Sequence, residues 1–512
     1  MPDLTPYLED AAHYPGGHAA GIVFPRSLEE VVAAVRSARA VLPIGAQSSL
    51  TGGATPMGEL ILSTSRMTRV VDETPATITV EAGLTVAALQ EHLKRRGAWF
   101  PPAPTFTGAC AGGISATNAA GAATFKYGST RDWVEGLTVV LADGAVVRLR
   151  RGDLRAHGGR VEIAGRKVPV PQYRMPEVAK HSAGYFAAPD MDAVDLFIGS
   201  EGTLGVIVEV AFRVLSPVPP TALALVACRS EEQAIDLAAA LRHASIETWR
   251  SGDARGADAA AIECMDRRCI DILLEDGAAM REHVLVPPAT EMLLLVQLEL
   301  PAGATAEQAY EEIAAGAGAN APDTPIVRFC RMVGHAGALD LTEIVMPGDT
   351  RRMAQLTALR EAVPAGINQR VGLARRTVDQ RIAKTAADMV VPFEHFAQMN
   401  AIYRRGFESR GLDYAIWGHI SDGNVHPNVI PRSYEDVEQG QEAILEFGRE
   451  AARLGGSPLA EHGVGRNPVK QALLRQLYGD AGIEQMRAVK LALDPGCRLS
   501  PGVILSCRGS RG

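Results

Sequence analysis

The sequence lacks the features that mark iron–sulfur proteins, membrane-spanning proteins and nucleic-acid binders. Its seven cysteines are scattered, odd in number and without a C-x-x-C pair, so we expect reduced thiols and no built-in cluster. No apolar run approaches the roughly 20 residues that a transmembrane helix needs. With 51 basic and 59 acidic residues the net charge is −8, which argues against nucleic-acid binding.

The amino terminus also lacks the basic and apolar pattern of a secretory signal, so we expect a cytoplasmic protein. Peripheral contact with a membrane stays open. The 47% hydrophobic and 21% charged residues are typical of a globular enzyme. A chain of 512 residues is too long for one compact core, which predicts two or three domains.

Helices and strands alternate in the predicted pattern on both sides of a proline-rich linker, Pro217–Pro220. Before the linker, Ser27 is predicted to cap a helix, and an Asp143–Gly144 turn predicts a β-hairpin. The apolar run Asp195–Ile198 is predicted to be a strand. After the linker, the alternation indicates an α+β fold with ferredoxin-like βαβ units.

Three glycine-rich clusters form the first candidate binding feature. Gly45–Gly53 follows an apolar strand, and its small residues let backbone N–H groups converge on a phosphate. It is neither G-x-x-x-x-G-K-[ST] nor G-x-G-x-x-G, so a P-loop NTPase and a Rossmann fold have no support. An ordinary Gly/Ser loop is the alternative. Residues 101–121 and Gly199–Ile207 form two further clusters that permit close backbone approach to a ligand.

These clusters carry a family resemblance. The segments PIGAQSSLTGGATP, PPAPTFTGACAGGISATNAAG, KYGSTRDWV and FIGSEGTLGVIVEV resemble the FAD-binding domain of the vanillyl-alcohol oxidase and p-cresol methylhydroxylase superfamily. The chain is similar to the branch holding D-lactate dehydrogenases, glycolate oxidases and D-2-hydroxyglutarate dehydrogenases. The resemblance implies an α+β protein with a two-subdomain FAD-binding domain (14–218), an α+β substrate or cap domain (219–490) and a returning C-terminal segment (491–512).

The resemblance also implies how FAD is held. The first loop binds the pyrophosphate, the second cluster lines the flavin and ribityl chain, and Ile207 lies on the adenosine side. The implied FAD-binding residues are Gly45, Ala46, Gln47, Ser48, Ser49, Leu50, Gly52, Gly53, Pro104, Thr105, Gly112, Gly113, Thr117, Asn118, Glu201, Gly202, Gly205 and Ile207. The first loop has no His or Cys, so we expect non-covalent FAD, with Cys110 as the residue that leaves covalent attachment open.

A histidine cluster forms the second candidate site. His419 and His426 flank an Asp422–Asn424 turn that can bring both imidazoles together, and Glu461 and His462 follow downstream. Two imidazoles and one carboxylate are a common catalytic metal set, whereas surface or hydrogen-bonding histidines are the alternative. H-x-x-D-G-N-x-H and E-H-G-x-G resemble the motifs of the same branch. The resemblance implies that His419, His426 and Glu461 bind a divalent metal, Zn or Mn, and that His462 is the base.

Two cations and an amide are candidates for binding the substrate. Arg360 lies in a segment that resembles the family's L-R-E-x-[IV]-P, whose Arg binds the substrate carboxylate, and Lys384 resembles the family's Lys before D-x-x-x-P. Asn428 matches a substrate-contacting Asn. A solvated surface charge is the alternative for each cation. Pro364 replaces a polar contact of the 2-hydroxyglutarate enzymes, and the segment 365–381 is longer, so the acid stays open.

The expected reaction is FAD-dependent oxidation of a small D-2-hydroxy acid, such as D-lactate, glycolate or a D-2-hydroxyglutarate-like acid, to the 2-keto acid. The hydride passes to flavin N5, and a quinone, an electron-transfer flavoprotein, a cytochrome or oxygen accepts the electrons. We expect a homodimer. The alternatives are a non-redox FAD enzyme of the ether-lipid synthase type, a flavin-binding subunit of a larger complex, and a nucleotide-binding protein without flavin.

Overall fold

The computed structural model describes residues 3–102, 104–316 and 321–507, so residues 508–512 of the predicted C-terminal segment lie outside the described residues. Its strands are β1 Gly21–Val23, β2 Val41–Ile44, β3 Leu60–Ser63, β4 Val70–Glu73, β5 Thr77–Glu81, β6 Val134–Val140, β7 Val146–Arg150, β8 Arg160–Ile163, β9 Arg166–Pro169, β10 Val206–Arg213, β11 Thr221–Cys228, β12 Ala259–Asp266, β13 Met292–Glu299, β14 Thr342–Val345, β15 Thr385–Ala386, β16 Met389–Val390, β17 Tyr414–His419 and β18 Asn424–Val429. Its helices are α1 Leu28–Ser37, α2 Val86–Lys94, α3 Ala111–Thr117, α4 Thr124–Tyr127, α5 Ala193–Phe197, α6 Glu231–Ser251, α7 Arg267–Glu275, α8 Ala278–Arg281, α9 Ala306–Ala315, α10 Pro325–His335, α11 Thr350–Thr377, α12 Phe396–Glu408, α13 Tyr434–Arg453 and α14 Pro468–Leu493.

The chain divides into two compact units. The first unit consists of Met1–Gly121, Tyr127–Ser216 and Gly448–Gly512, and the second of Ala122–Lys126 and Pro217–Phe447. The change of unit after residue 216 falls at the start of the predicted proline-rich linker. Among the described residues, every helix is too short or too polar to cross a lipid bilayer.

The first unit contains three sheets. One is parallel with the order β1-β3-β2, one is antiparallel with the order β4-β5-β10-β6-β7, and β8 pairs with β9. The predicted cap is present, because the Ser27 side chain accepts a hydrogen bond from the Glu30 N–H at the start of α1. The predicted hairpin is also present, with Val140 opposite Val146 across β6 and β7. These local features agree with the sequence prediction.

The strand predicted at Asp195–Ile198 is wrong. Residues 195–197 belong to helix α5, and the Asp192 side chain caps this helix by accepting the Val194 N–H at 2.9 Å. All five residues of α5 are buried. A short, wholly buried run shows no periodicity that distinguishes a helix from a strand, so the local pattern was insufficient.

Residues 448–490, which the sequence analysis assigns to the second domain, lie in the first unit. Partners distant in sequence hold them there. The Arg466 guanidinium forms a buried ion pair with Glu59 at 2.8 Å. The buried Lys490 donates to Asp494 Oδ2 at 2.6 Å, which fixes the end of α14. Contacts across more than 400 residues, such as that of Arg466 with Glu59, leave no mark in the local pattern.

The expectation that all thiols are reduced is wrong for Cys497 and Cys507, which form a disulfide across ten residues. The C-terminal segment bends back, so the two Cα atoms lie 6.3 Å apart, within the range that a disulfide spans. The odd count and scattered spacing could not reveal this bend. The free cysteines of the described chain are Cys110, Cys228, Cys264, Cys269 and Cys330.

The second unit is built on one large sheet with the order β14-β11-β13-β12-β17-β18-β15, and β16 also pairs with β18. Strands β11 and β12 are both antiparallel to β13, so they are parallel to each other and are joined through α6. Strands β13 and β14 flank β11 in the same way, joined through α9 and α10. These split βαβ units confirm the predicted ferredoxin-like α+β arrangement.

Candidate functional site

The first glycine loop presents a run of backbone donors. Within the described chain, the N–H groups of Gln47, Ser48, Ser49 and Leu50 have no hydrogen-bond partner in the protein. Gln47 has a positive φ of 52°, and its side-chain amide donates to the carbonyls of Tyr7 and Ala54. Successive N–H groups in such a turn form a nest that binds anions. The loop therefore fits the pyrophosphate of FAD.

The far side of this loop is closely packed. Ser49 Oγ accepts from the N–H groups of Thr51 and Gly53, at 3.3 and 3.2 Å. A Cβ added to Gly53 would lie 3.3 Å from Ser49 Oγ and 3.4 Å from Glu201 Oε2. Little room remains for any side chain larger than a methyl group at position 53.

Cys110 packs against the same loop. A Cβ on Gly45 would lie 3.1 Å from Cys110 Cβ and 3.4 Å from its sulfur. Burial raises the pKa of the Cys110 thiol, which favours the unreactive protonated form. Its surroundings therefore favour non-covalent FAD over a thioether at Cys110.

The second glycine cluster forms the turn of α3 and the loop before it. Pro104 and Thr105 lie in that loop. A Cβ on Gly112 would come within 2.7 Å of Ala82 Cβ, whereas one on Gly113 would meet no described atom within 4 Å. The face of α3 at Gly112 therefore packs on the protein, and the face at Gly113 is open.

The residues that end α3 bond to the protein itself. Thr117 Oγ1 donates to the Gly113 carbonyl at 3.0 Å. The Asn118 amide donates to the His181 carbonyl at 3.2 Å and accepts from the Arg131 N–H at 2.9 Å. Asn118 therefore fixes this turn, and its side chain serves the fold whatever else it contacts.

The third glycine cluster contributes a carboxylate that binds another loop of the first unit. Glu201 accepts from the N–H groups of Val464 and Gly465, both at 2.8 Å. Burial raises the pKa of Glu201 to about 7, although these two hydrogen bonds oppose the shift. Gly205 packs so closely that an added Cβ would lie 2.3 Å from Val139, the residue that pairs with the buried Ile207. The cluster thus supports the loop that carries the predicted base.

The Glu461–Gly465 loop is anchored in the first unit. The Glu461 carboxylate lies 3.7 Å from the ammonium group of Lys180, whose side chain is 0% exposed. Thr51 Oγ1 donates to the carbonyl of His462 at 3.5 Å, and Thr51 belongs to the segment around the first glycine loop. The predicted base and the predicted third metal ligand therefore lie on a loop that contacts the predicted phosphate segment.

The two predicted metal-binding histidines lie on adjacent strands of the second unit. His419 ends β17 and His426 lies within β18, and the turn between them includes Gly423 with a φ of 77°. In the register, Trp417 is opposite His426 and His419 is opposite Asn424, so the two imidazoles lie on one face of the sheet. Their ring centroids are 5.5 Å apart, and both side chains are buried. The turn brings them together as the spacing predicts.

A carboxylate faces the Nδ1 atom of each imidazole. Glu263 Oε1 forms a hydrogen bond with His419 Nδ1, and Asp388 Oδ1 lies 3.5 Å from His426 Nδ1. All four side chains are buried. A carboxylate at Nδ1 favours the tautomer with the Nε2 lone pair exposed to a ligand, an arrangement typical of metal-binding histidines. The histidines and their partners therefore fit a divalent metal ion.

The predicted substrate residues are also in the second unit. Arg360 lies on the buried face of α11, where its Nε atom donates to Glu263 Oε2 at 2.6 Å. Asn428 is 1% exposed and donates to the carbonyl of His426 at 3.0 Å, while its Oδ1 accepts no hydrogen bond from the described residues. Lys384 lies immediately before β15 and is half-buried. A guanidinium and an unsatisfied amide oxygen thus lie near the imidazoles in this fold.

The sequence analysis missed Glu263 and Lys180. Glu263 had a detectable signal, because it is a charged residue in an otherwise apolar strand, and a buried carboxylate is costly unless it is paired. Lys180 had no comparable signal, since its neighbours are polar. Its burial beside Glu461 arises from contacts between segments far apart in sequence.

Comparison with known proteins extends these observations. Residues 19–150 match the family model described as FAD binding domain, and residues 220–504 match the one described as FAD linked oxidases, C-terminal domain. The chain is 30% identical to a D-2-hydroxyglutarate dehydrogenase of Xanthomonas citri pv. viticola, covering 98% of this chain and 92% of that protein. It is 28% identical to glycolate oxidase subunit GlcD of Bacillus subtilis, covering 94% and 88% respectively. In fold it is similar to a 4-ethylphenol oxidase from Gulosibacter chungangensis, with a TM-score of 0.63 at 17% identity, covering 99% and 93%.

Proposed function

Because the chain belongs to the FAD-linked oxidases and carries their FAD binding domain, we propose that it oxidises a small D-2-hydroxy acid to the 2-keto acid with the help of a divalent metal ion. The chain is an FAD-dependent oxidoreductase whose relatives are named for 2-hydroxy acids, which supports the substrate class. The stereochemistry, the metal and the residue roles are the proposed part.

One observation carries this proposal. His419 and His426 are buried on one face of the sheet, and each has a carboxylate at Nδ1. A histidine retained only for packing or hydrogen bonding needs no such carboxylate, and two adjacent ones with this arrangement favour a metal site. A 2-hydroxy acid is a natural ligand for such a site, because its hydroxyl and one carboxylate oxygen can chelate a divalent ion.

The residues present fit both cofactors. The Gly45–Gly53 loop would hold the FAD pyrophosphate, and bound FAD supplies the acceptor for the hydride from substrate C2. His419 and His426 would bind the metal through Nε2, and the sequence predicts Glu461 as the carboxylate ligand. Either Zn²⁺ or Mn²⁺ suits two imidazoles and one carboxylate, and such an ion lowers the pKa of a bound hydroxyl group.

The chain's own residues bind and orient the acid. Arg360 supplies a guanidinium for the substrate carboxylate, with Lys384 as a second cation. Asn428 Oδ1 accepts a hydrogen bond from a hydroxyl group of the substrate, which would satisfy an otherwise unpaired buried oxygen. His462 accepts the proton of the 2-hydroxyl group, a role suited to imidazole near neutral pH. Loss of this proton and of the C2 hydride leaves the 2-keto acid.

A panel of D- and L-2-hydroxy acids tests the proposal. Anaerobic addition of the right D-acid should bleach the flavin absorbance, and its L-enantiomer should not. Turnover should continue with an artificial dye in place of the natural acceptor, which we propose is a quinone, an electron-transfer flavoprotein, a cytochrome or oxygen. If no hydroxy acid bleaches the flavin and chelators change nothing, the proposal is refuted and a non-redox flavin enzyme or a flavin-binding subunit is favoured.

A further inference from the structure

A single buried carboxylate contacts both a predicted metal ligand and a predicted substrate residue. Glu263 Oε1 bonds to His419 Nδ1, and Glu263 Oε2 accepts from Arg360 Nε at 2.6 Å. The side chains of Glu263, His419 and Arg360 are 8%, 3% and 10% exposed. Each oxygen of this carboxylate therefore has a different partner, and solvent is largely excluded from all three groups.

The sheet register explains this juxtaposition. Strands β12 and β17 are antiparallel, with Cys264 opposite Gly418, so Glu263 comes next to His419 on the same face. The rest of β12 is almost entirely apolar, and α11 brings Arg360 to the other carboxylate oxygen. A hydrophobic residue at 263, with its partners replaced as well, would satisfy folding at least as well as a buried ion pair. Packing alone does not account for a glutamate there.

We propose that Glu263 is a positioning residue that couples metal binding to substrate-carboxylate binding, an inference that rests on the proposed function. Its Oε1 holds the Nδ1–H tautomer of His419, which directs the Nε2 lone pair to the metal. Its Oε2 holds the guanidinium of Arg360 in one orientation for the acid. The metal and the carboxylate of the substrate are thereby held at a defined separation by one side chain.

Asp388 provides an internal comparison. It faces His426 Nδ1 at 3.5 Å, as Glu263 faces His419, and the same oxygen accepts from the Asn424 amide at 3.2 Å. Glu263 instead combines its imidazole with the Arg360 guanidinium. Loss of the Asp388 charge should therefore weaken metal binding alone, whereas loss of the Glu263 charge should weaken the binding of both the metal and the acid.

Glu299 provides the matched control for burial. It is a buried glutamate of the same sheet, 5% exposed, and its carboxylate pairs with Lys126 at 2.6 Å. It ends β13, whereas the two imidazoles belong to β17 and β18. Glu299→Gln therefore reports what neutralising a buried, cation-paired glutamate does to this sheet in general.

The experiment compares Glu263→Gln, Asp388→Asn and Glu299→Gln in the FAD-loaded full-length protein. Zinc affinity is measured by calorimetric titration after chelator treatment, and oxalate affinity by the change in flavin absorbance of the metal-free protein. A glutamine at 263 offers one acceptor oxygen to two donors, so zinc affinity should fall about 10- to 100-fold and oxalate affinity about 10-fold. Asp388→Asn should reduce only zinc affinity, and Glu299→Gln should change neither.

A second variant covers the case in which Glu263→Gln fails to fold. Glu263→Asp keeps the charge but is one methylene shorter, so it should fold and weaken both affinities to a smaller extent. The inference is refuted if either affinity is unchanged in both Glu263 variants, or if Glu299→Gln reproduces the double loss. Wild-type protein that binds zinc and is bleached by a hydroxy acid while the Glu263 variants behave like wild type refutes only this inference. Wild-type protein that binds no zinc refutes the proposed metal function as well.

Discussion

Gly423→Ala offers a direct test of the turn that joins the two imidazoles. Gly423 has a φ of 77°, and a Cβ placed there would lie 2.1 Å from the carbonyl oxygen of Val391. Gly411, in the same unit, has a φ of 64°, and a Cβ there would meet no described atom within 4 Å. The pair of alanine variants therefore separates backbone strain from a steric clash.

The two substitutions should differ in cost. A left-handed conformation costs an alanine about 1–2 kcal/mol, and both variants incur this penalty. At Gly423 the overlap also forces the turn to move, which adds about 1–3 kcal/mol for overpacking. The movement endangers the 3.2 Å hydrogen bond from the Val391 N–H to the Gly423 carbonyl, worth about 1 kcal/mol. We expect a destabilisation of about 1–2 kcal/mol for Gly411→Ala and about 3–6 kcal/mol for Gly423→Ala.

Thermal unfolding and zinc titration of the FAD-loaded proteins provide the assay. In a unit of this size, 1 kcal/mol lowers Tm by roughly 2–4 °C, so the Gly423→Ala value should fall by roughly 10 °C or more. Its zinc affinity should fall as well, because the turn carries His419 and His426, whereas Gly411→Ala should bind zinc as the wild type does. Equal Tm shifts for the two variants, or wild-type zinc affinity in Gly423→Ala, would refute the reasoning.

Four further outcomes are expected. Acid precipitation should release the flavin into the supernatant; flavin that stays in the protein pellet would show a covalent link. Gly53→Val should abolish FAD loading, because its branches need space 3.3–3.4 Å from Ser49 and Glu201 that is already occupied, and full flavin occupancy would contradict this. Chelators should remove activity but not FAD, with recovery on adding Zn²⁺ or Mn²⁺. His426→Ala should mimic the chelated enzyme, while His462→Ala should keep the metal and lose flavin bleaching; metal analysis of both variants decides it. Burial raises the pKa of Glu201 from 4.5 to about 7, so its contribution to stability is fully present below pH 4.5 and is lost as the pH rises through about 7. Glu201→Gln should remove this pH dependence, and parallel stability profiles of variant and wild type would argue against it.

Several features could be derived from the sequence because they depend on neighbours along the chain. Ser27 caps α1 through a residue three positions away, and the Asp143–Gly144 turn closes the hairpin of β6 and β7. The His419–His426 spacing around a glycine turn predicts two imidazoles on one face. The glycine clusters and their order support the FAD-binding domain, which the family match confirms. In each case the determining interactions span few residues, so the pattern is visible locally.

The tertiary structure decided what depends on distant partners. Residues 195–197 became part of helix α5 because the Asp192 cap and complete burial outweighed an ambiguous apolar pattern. Cys497 and Cys507 pair only because the C-terminal segment bends back. Glu263 meets His419 across 156 residues and Arg360 across 97, since strand pairing and helix packing bring them together. Sequence types and spacings name the chemical groups available, but long-range packing selects which carboxylate orients which imidazole, because that choice minimises the cost of burying their charges together.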